Sequence, residues 1–134
     1  MKITKATDIQ RTANWRILIY GKAGLGKTSL IKNLSGKTLV LSLDNSSKVL
    51  AGTKNVDIID FDREHPTEFI TEFLTQADSL IKDYDNLVID NISSFQSDWF
   101  IEQGRKSKNG ISNELQHYSQ WTNYFLRVLT AVYT

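Results

Sequence analysis

The chain has 134 residues, of which 40% are hydrophobic and 23% are charged, and its formal net charge at pH 7 is +1. These values are typical of one globular domain, so we expect a single domain spanning residues 1–134. So small a net charge excludes a general electrostatic attraction to DNA or membranes, and the absence of cysteine excludes disulfides, thiolate zinc sites and cysteine nucleophiles.

Two further observations concern membrane contact and metal binding. The sequence contains no apolar run long enough to span a membrane and does not begin like a signal peptide, which predicts a cytoplasmic protein without membrane contact. His65 and His117 lie far apart and have no metal-ligating residue at a suitable spacing. They are interpreted as isolated surface residues.

Four short apolar runs predict the strands of a parallel sheet, because they are rich in Ile, Val and Leu and alternate little with polar residues. These runs are residues 16–20, 38–43, 56–61 and 87–89. Helices are predicted to begin near Lys27, Pro66, Ile92 and Leu115, and the third of them is expected to end at Gly104. Strands that alternate with helices indicate an α/β fold with a parallel sheet and flanking helices.

The stretch GKAGLGKT at residues 21–28, hereafter the glycine loop, matches the pattern G-x-x-x-x-G-K-[ST] at every position. Glycine at positions 21, 24 and 26 lets backbone N–H groups close around a phosphate, and a helix N-terminus adds partial positive charge. The pattern predicts a P-loop NTPase that binds ATP, in which Lys27 is a catalytic residue that reaches the β- and γ-phosphates. The expected nucleotide-binding residues are Gly21, Lys22, Ala23, Gly24, Leu25, Gly26, Lys27, Thr28 and Ser29.

Two residues are expected to hold Mg²⁺. The Thr28 hydroxyl ends the glycine loop, and Asp90 directly follows the apolar run at residues 87–89. A carboxylate at the end of a strand that follows a glycine loop is the usual second contributor to a magnesium shell.

Two classes of ATPase take the residue that orients the attacking water in ATP hydrolysis from different positions. Many ATPases of the AAA class have a glutamate after the strand-ending Asp, but this chain has Asn91, which cannot accept a proton. The recombinase-like branch takes its acid from the tip of the strand after the P-loop helix. Here that tip, VLSLDNSS, offers Asp44 as the catalytic base. The alternative is that Asp44 caps a turn through Asn45 and Ser46.

Three segments together resemble the phage-encoded nucleotide-binding proteins of the RecA-like P-loop group: GKAGLGKTS, KTLVLSLDNSSKVLAGTKNVDIIDFD and LVIDNISSFQSDW. The resemblance implies an ATPase that acts on single-stranded DNA in recombination, within the cytoplasm of a bacterial host, and it is compatible with a homo-oligomer. Such folds continue into further strands after the last helix, so the RecA-like core is expected to be truncated at its C-terminal end.

The resemblance also implies a DNA-binding segment. Loops after the magnesium strand contact single-stranded DNA in that group, and here residues 104–110 carry Arg105, Lys106 and Lys108. A solvated surface loop is the alternative interpretation. GTPases are disfavoured because no [NT]-K-x-D follows Asp90. A nucleotide-binding module without turnover, or a nucleoside or nucleotide kinase with Arg105 in its lid, remains as an alternative function.

Overall fold

The computed structural model describes residues 1–9, 16–22, 25–106 and 114–133 of the chain. Within these residues, three strands form one parallel sheet in the order β2–β1–β3. The strands are β1 (Thr38–Ser42), β2 (Val56–Asp60) and β3 (Asn86–Asp90). Three of the four predicted strands are therefore found within about one residue of their predicted bounds.

The strands pair without any offset. Thr38 is opposite Val56 in β2 and Asn86 in β3, and the register continues to Ser42, which is opposite Asp60 and Asp90. All three strands consequently end level with one another. Their carboxyl ends form one edge of the sheet, hereafter the carboxyl edge, from which the chain continues into the loops that carry the polar residues.

Three α-helices lie within the described residues: α1 (Pro66–Leu80), α2 (Ile92–Lys106) and α3 (Glu114–Tyr133). Proline is well suited to the first turn of α1, because its missing N–H would have no helical acceptor there. The same parts of the chain also contain short 3₁₀ helices, at Ala6–Asp8, Thr28–Asn33, Ser47–Leu50 and Ile81–Asp83. None of the described helices is both long and apolar enough to cross a membrane.

Both faces of the sheet are covered, as its apolar central strand requires. All five residues of β1 are buried. Leu41 belongs to a large cluster with buried residues of α1, α2 and α3, whereas its neighbour Val40 packs with Ile31 and Leu50 from two of the 3₁₀ helices. Because side chains alternate along a strand, the α-helices cover one face and the 3₁₀ helices cover the other.

The structure corrects the prediction of a strand at residues 16–20. Arg16–Tyr20 is described as irregular backbone, and Ile17, Leu18, Ile19 and Tyr20 are 56–89% exposed. A strand needs a neighbour with which to exchange backbone hydrogen bonds, and none of the three described strands pairs with this segment. The apolar composition of this segment is typical of a strand, but composition does not supply a neighbouring strand to pair with.

Three further expectations were wrong in detail. The helix after the glycine loop is a six-residue 3₁₀ helix, because the chain turns at Gly36 to begin β1 only two residues later. Helix α2 does not end at Gly104 but continues through Lys106. His117 is not a surface residue: it is 8% exposed and lies beside the rings of Trp99 and Phe100.

Candidate functional site

The described part of the glycine loop closes on its own lysine. The Lys27 ammonium group donates hydrogen bonds to the carbonyl oxygen of Gly21 and to that of Lys22, the latter at 3.1 Å. Both carbonyls lie at the start of the loop, so the lysine links its two ends. A phosphate that binds here has to draw the ammonium group away from these neutral acceptors, and a charged oxygen is the stronger acceptor.

One glycine of the loop has a backbone conformation that favours glycine. Gly26 has φ +80°, in the left-handed region where a Cβ atom introduces strain. Leu25 and Ser29 are exposed on either side of this turn. Ala23 and Gly24 were predicted to contact phosphate and lie outside the described residues.

The two expected magnesium ligands lie side by side. Thr28 Oγ1 donates a hydrogen bond of 2.8 Å to Asp90 Oδ2, although the residues are 62 positions apart in sequence. Both residues are partly buried. The hydrogen bond places the end of the glycine loop at the carboxyl edge, where Asp90 is the last residue of β3.

This pair suits Mg²⁺ chemically. A hydroxyl and a carboxylate supply the hard oxygen atoms that Mg²⁺ prefers, and the ion usually takes its other ligands from phosphate and water. The described residues contain no group of three or more His, Cys, Asp or Glu side chains that could form a complete protein cage for a metal. Thr28 and Asp90 would therefore fill only part of the octahedral shell of Mg²⁺.

A buried hydroxyl lies at the same edge. Ser42 is 1% exposed, and among the described residues its Oγ has no hydrogen-bond partner. Ser42 is the register partner of Asp90 across the β1–β3 pair. Its position supplies a further polar group next to the carboxylate. The sequence analysis did not identify Ser42, because a Ser within an apolar run is interpreted as part of the strand.

Asp44 lies in a hydrogen-bonded network just beyond β1. Its Oδ1 accepts hydrogen bonds from the Ser46 backbone N–H at 3.1 Å and from the Ser46 hydroxyl at 2.6 Å. These are the contacts of the turn-capping alternative. Its Oδ2 accepts a hydrogen bond of 2.9 Å from Asn91 Nδ2. The turn therefore occupies one carboxylate oxygen, and the other faces the residue that follows Asp90.

The backbone holds Asp44 and Asn91 together. The N–H of Leu43 donates a 2.6 Å hydrogen bond to the carbonyl oxygen of Asp90, which joins the ends of β1 and β3. The peptide bond between Asp90 and Asn91 is cis. Asn91 Oδ1 in turn accepts a 2.8 Å hydrogen bond from the Ser94 N–H in the first turn of α2. An Asn directly before the first residue of a helix, here Ile92 of α2, is a recognised capping signal, which the sequence analysis overlooked.

The loop after β2 is also fixed to α2. Arg63 Nε and Nη2 donate to the two carboxylate oxygens of Asp98 at 2.8 and 3.2 Å, and the Asp98 side chain is only 7% exposed. A guanidinium group that binds a carboxylate through two parallel hydrogen bonds is held in one orientation. The pair stabilises the carboxyl edge from the β2 side and could not be recognised from two residues 35 positions apart.

Two of the three predicted DNA-binding residues lie in the last turn of α2 and not in a loop. Arg105 Nη1 donates to the Glu64 carbonyl oxygen at 3.2 Å, and Lys106 Nζ donates to Glu102 Oε1 at 3.0 Å. Both side chains remain exposed. Lys108 lies outside the described residues.

One of the comparisons with known proteins gives a match. The sequence model of one protein family, described as an AAA domain, matches residues 13–134, which is most of the chain. No curated protein and no solved structure gives a significant match.

Proposed function

Because the chain belongs to the AAA-domain family, we propose that it binds ATP at the carboxyl edge through the glycine loop, with Mg²⁺ between Thr28 and Asp90. The family indicates a nucleotide-binding P-loop ATPase domain, and the α/β fold with its parallel sheet is consistent with that class. The single observation that carries the proposal for this chain is the hydrogen bond between Thr28 and Asp90, because it brings the two expected ion ligands to one point.

The residues have separate tasks in this proposal. Lys27 neutralises the β- and γ-phosphate charge, and Gly26 permits the backbone path of the loop. Thr28 and Asp90 hold the ion, which when bound neutralises the charge that develops on the phosphate oxygens. The helix after the loop is a 3₁₀ helix of only six residues, so no role in phosphate binding is assigned to its dipole.

A lysine substitution tests nucleotide binding. Lys27→Ala removes the ammonium group and its charge-assisted contacts, each of about 1.5–3 kcal/mol, so ATP affinity should fall at least tenfold. Titration calorimetry with Mg–ATP measures this loss. Lys32→Ala is the matched control, because Lys32 is an exposed lysine in the adjacent 3₁₀ helix and should leave affinity unchanged. Equal ATP affinity in wild type and Lys27→Ala would contradict the proposal.

We extend the proposal to ATP hydrolysis, with Asp44 as the group that orients the water. The water oxygen bonds to the γ-phosphorus while the bond from that phosphorus to the bridging oxygen breaks, and its electron pair leaves with ADP. Asp44 accepts the proton of the water and passes it on to solvent or phosphate. Catalysis of this kind depends mainly on positioning and charge stabilisation.

Nucleotide binding without turnover is the second candidate, and two observations favour it. Asp44 Oδ1 is occupied by the turn through Ser46, and the residue after Asp90 is the amide Asn91 instead of an acid. Radiolabelled ATP, incubated with the protein in the presence and absence of single-stranded DNA, separates the candidates. Released phosphate supports hydrolysis, whereas bound and intact ATP supports a binding module.

The proposed nucleic-acid partner is single-stranded DNA in recombination. This part of the proposal rests on the resemblance to the RecA-like group and on the cationic end of α2. If Arg105, Lys106 and Lys108 each neutralise one phosphate, changing all three to alanine should flatten the slope of log affinity against log salt by about 2. Fluorescence anisotropy of a labelled oligonucleotide across a salt series measures the slope.

A charge-matched control makes that measurement specific. The triple variant Lys5→Ala, Lys54→Ala and Lys82→Ala removes the same charge from exposed lysines elsewhere and should keep the wild-type slope. ATP affinity should be unchanged in both triple variants. A wild-type slope in the variant that lacks Arg105, Lys106 and Lys108 would leave these three residues as ordinary solvated surface.

A further inference from the structure

Asn91 makes two different hydrogen bonds with the two ends of its side-chain amide. Oδ1 accepts from the Ser94 backbone N–H at 2.8 Å, and Nδ2 donates to Asp44 Oδ2 at 2.9 Å. A backbone N–H can only donate, so the oxygen of the amide must face Ser94 and the nitrogen must face Asp44. The orientation of the amide is therefore determined by its partners.

The cap of α2 explains only half of this arrangement. Capping requires an oxygen that accepts from the first helical turn, and Asn91 Oδ1 supplies it. The Nδ2 group contributes nothing to the cap. Its contact is with Asp44 on a different strand end, and it is this contact that requires an amide at position 91.

The two oxygens of Asp44 are not equivalent. Among the described residues, Oδ1 accepts two hydrogen bonds, both from Ser46, and Oδ2 accepts one, from Asn91. An ionised carboxylate offers about two acceptor positions on each oxygen. Oδ2 thus retains an acceptor position, and among the described residues the donor that contacts it is Asn91.

We propose that Asn91 is a positioning residue that aims Asp44 Oδ2 at the water attacking the terminal phosphate. This inference rests on the proposed ATPase function. In it, the acid and the amide occupy the tips of two neighbouring strands, with the acid after β1 and the amide after β3. The residue after Asp90 then contributes to hydrolysis without accepting a proton itself, and it acts only through Asp44.

The decisive variant is Asn91→Ser, because it separates the two hydrogen bonds. Serine is as good a capping residue as asparagine, so the contact with Ser94 is kept, but its hydroxyl is too short to reach Asp44. We expect an unchanged melting temperature, ATP affinity within about twofold of wild type, and single-turnover hydrolysis slowed at least about tenfold, since a positioned base contributes 10²–10⁴-fold. Asn91→Asp also keeps a cap but replaces the donor by an acceptor, and it should slow hydrolysis at least as much.

A second readout does not depend on turnover. ADP with aluminium fluoride imitates the phosphoryl group during attack by water, so the affinity for this complex depends on the orientation of the Asp44 carboxylate. The preference of the protein for ADP–aluminium fluoride over ADP should fall in Asn91→Ser and in Asp44→Asn, and by no more in the double variant than in the stronger single variant. Asn123→Ser, on the exposed side of α3, is the control and should behave like wild type.

The outcomes are distinct. If Asn91→Ser hydrolyses ATP at the wild-type rate, or if its melting temperature and ATP affinity fall together, Asn91 is structural and the inference is overturned. If wild type binds ATP but neither hydrolyses it nor prefers ADP–aluminium fluoride, the inference is overturned while nucleotide binding stands. If wild type binds no ATP at all, the proposed function fails, and the inference fails with it.

Discussion

The hydroxyl group of Thr28 has to serve two partners in the proposed site. Its proton is donated to Asp90 at 2.8 Å, and its oxygen keeps two lone pairs. One of those lone pairs can bind an ion without breaking the contact with the carboxylate. The hydrogen bond and metal binding are therefore compatible, and Asp90 both orients the hydroxyl and supplies negative charge.

Asp90→Asn separates the charge of this residue from its shape. The amide oxygen can still accept the hydrogen bond from Thr28, but it attracts a divalent ion less strongly than a carboxylate does. We expect ATP affinity to fall about tenfold or more in Mg²⁺ and to change less than about twofold in EDTA, as measured by calorimetry in both buffers.

Asp78→Asn is the control for this change, because Asp78 is an exposed carboxylate on α1 and should have no effect in either buffer. An equal loss of affinity in Mg²⁺ and in EDTA would assign Asp90 a purely structural role.

At the same scale, the sequence predicted the residue types of the site better than their contacts. The glycine loop and the strand-ending Asp led to the prediction of Lys27, Thr28 and Asp90 as site residues, because both patterns are local in sequence. The contact between Asp44 and Asn91 joins residues 47 positions apart, and it depends on two strands ending level with each other. No local pattern contains that information.

Among the elements, helix α2 joins the carboxyl edge to the core. It begins beside Asn91, and its buried Phe95 is 1% exposed. The Phe95 ring lies edge-on to Phe61, which follows β2, at 5.7 Å, and it is inclined at 67° to the ring of Trp121 in α3 at 5.3 Å. One side chain therefore connects the sheet edge with two helices.

Phe95→Ala should remove that connection. Deleting a fully buried aromatic ring costs about 3–5 kcal/mol of unfolding free energy, from lost burial and from the cavity that remains. Urea denaturation monitored by circular dichroism measures the change. Ile101→Ala is the control on the same helix, since Ile101 is 55% exposed and its truncation should cost less than about 1 kcal/mol. A loss below about 1 kcal/mol for Phe95→Ala would mean that α2 is not held by this contact.

The elements also show where apolar periodicity is sufficient and where it fails. It predicted β1, β2, β3 and α1 closely, because the apolar residues of each element recur along its own length with the spacing of a strand or a helix. It failed at residues 16–20, where composition is suited to a strand but the described residues include no strand paired with it. The strand propensity of a segment indicates that it can form a strand, but the strand forms only where a neighbouring strand pairs with it.

For the molecule as a whole, one buried carboxylate links two helices. Helix α1 has no side-chain cap of its own, since His65 precedes it without such a hydrogen bond. Glu102 of α2 takes this role: it accepts hydrogen bonds from the Thr67 hydroxyl at 2.5 Å and from the Thr67 N–H at 3.4 Å, and another from Lys106. The α1 N-terminus is thus capped by a residue from another helix.

The same contacts contribute to the acid sensitivity of the fold through the pKa of Glu102. Burial would raise the pKa of Glu102, but the hydrogen bonds from Thr67 and Lys106 outweigh it and lower the pKa below its ordinary value. A carboxyl group whose pKa is lower in the folded than in the unfolded chain stabilises the fold above the unfolded pKa. That stabilisation is lost as the pH falls through the folded pKa.

Glu102→Gln tests this linkage. At pH 7 the variant should lose about 1 kcal/mol, equivalent to about 3–5 °C in melting temperature for a chain of this size, because the charge-assisted bonds are weakened. The difference from wild type should shrink in acid, as the pH falls through the lowered pKa of the native carboxylate and that group becomes protonated too.

Glu72→Gln removes the same charge from an exposed position of α1 and should change the melting temperature little at either pH. A difference between wild type and Glu102→Gln that does not depend on pH would show that Glu102 acts by packing and not by its charge.

The sequence by itself determined the class of fold and predicted the chemistry of the glycine loop, because both depend on patterns within a few residues: apolar runs, helical spacing and a phosphate-binding motif. The tertiary structure alone decided which side chains meet at the carboxyl edge, how Glu102 caps α1 and why His117 is buried. These contacts join residues far apart in the chain, and they depend on strand register and helix packing, which are set by burial of the whole core at once.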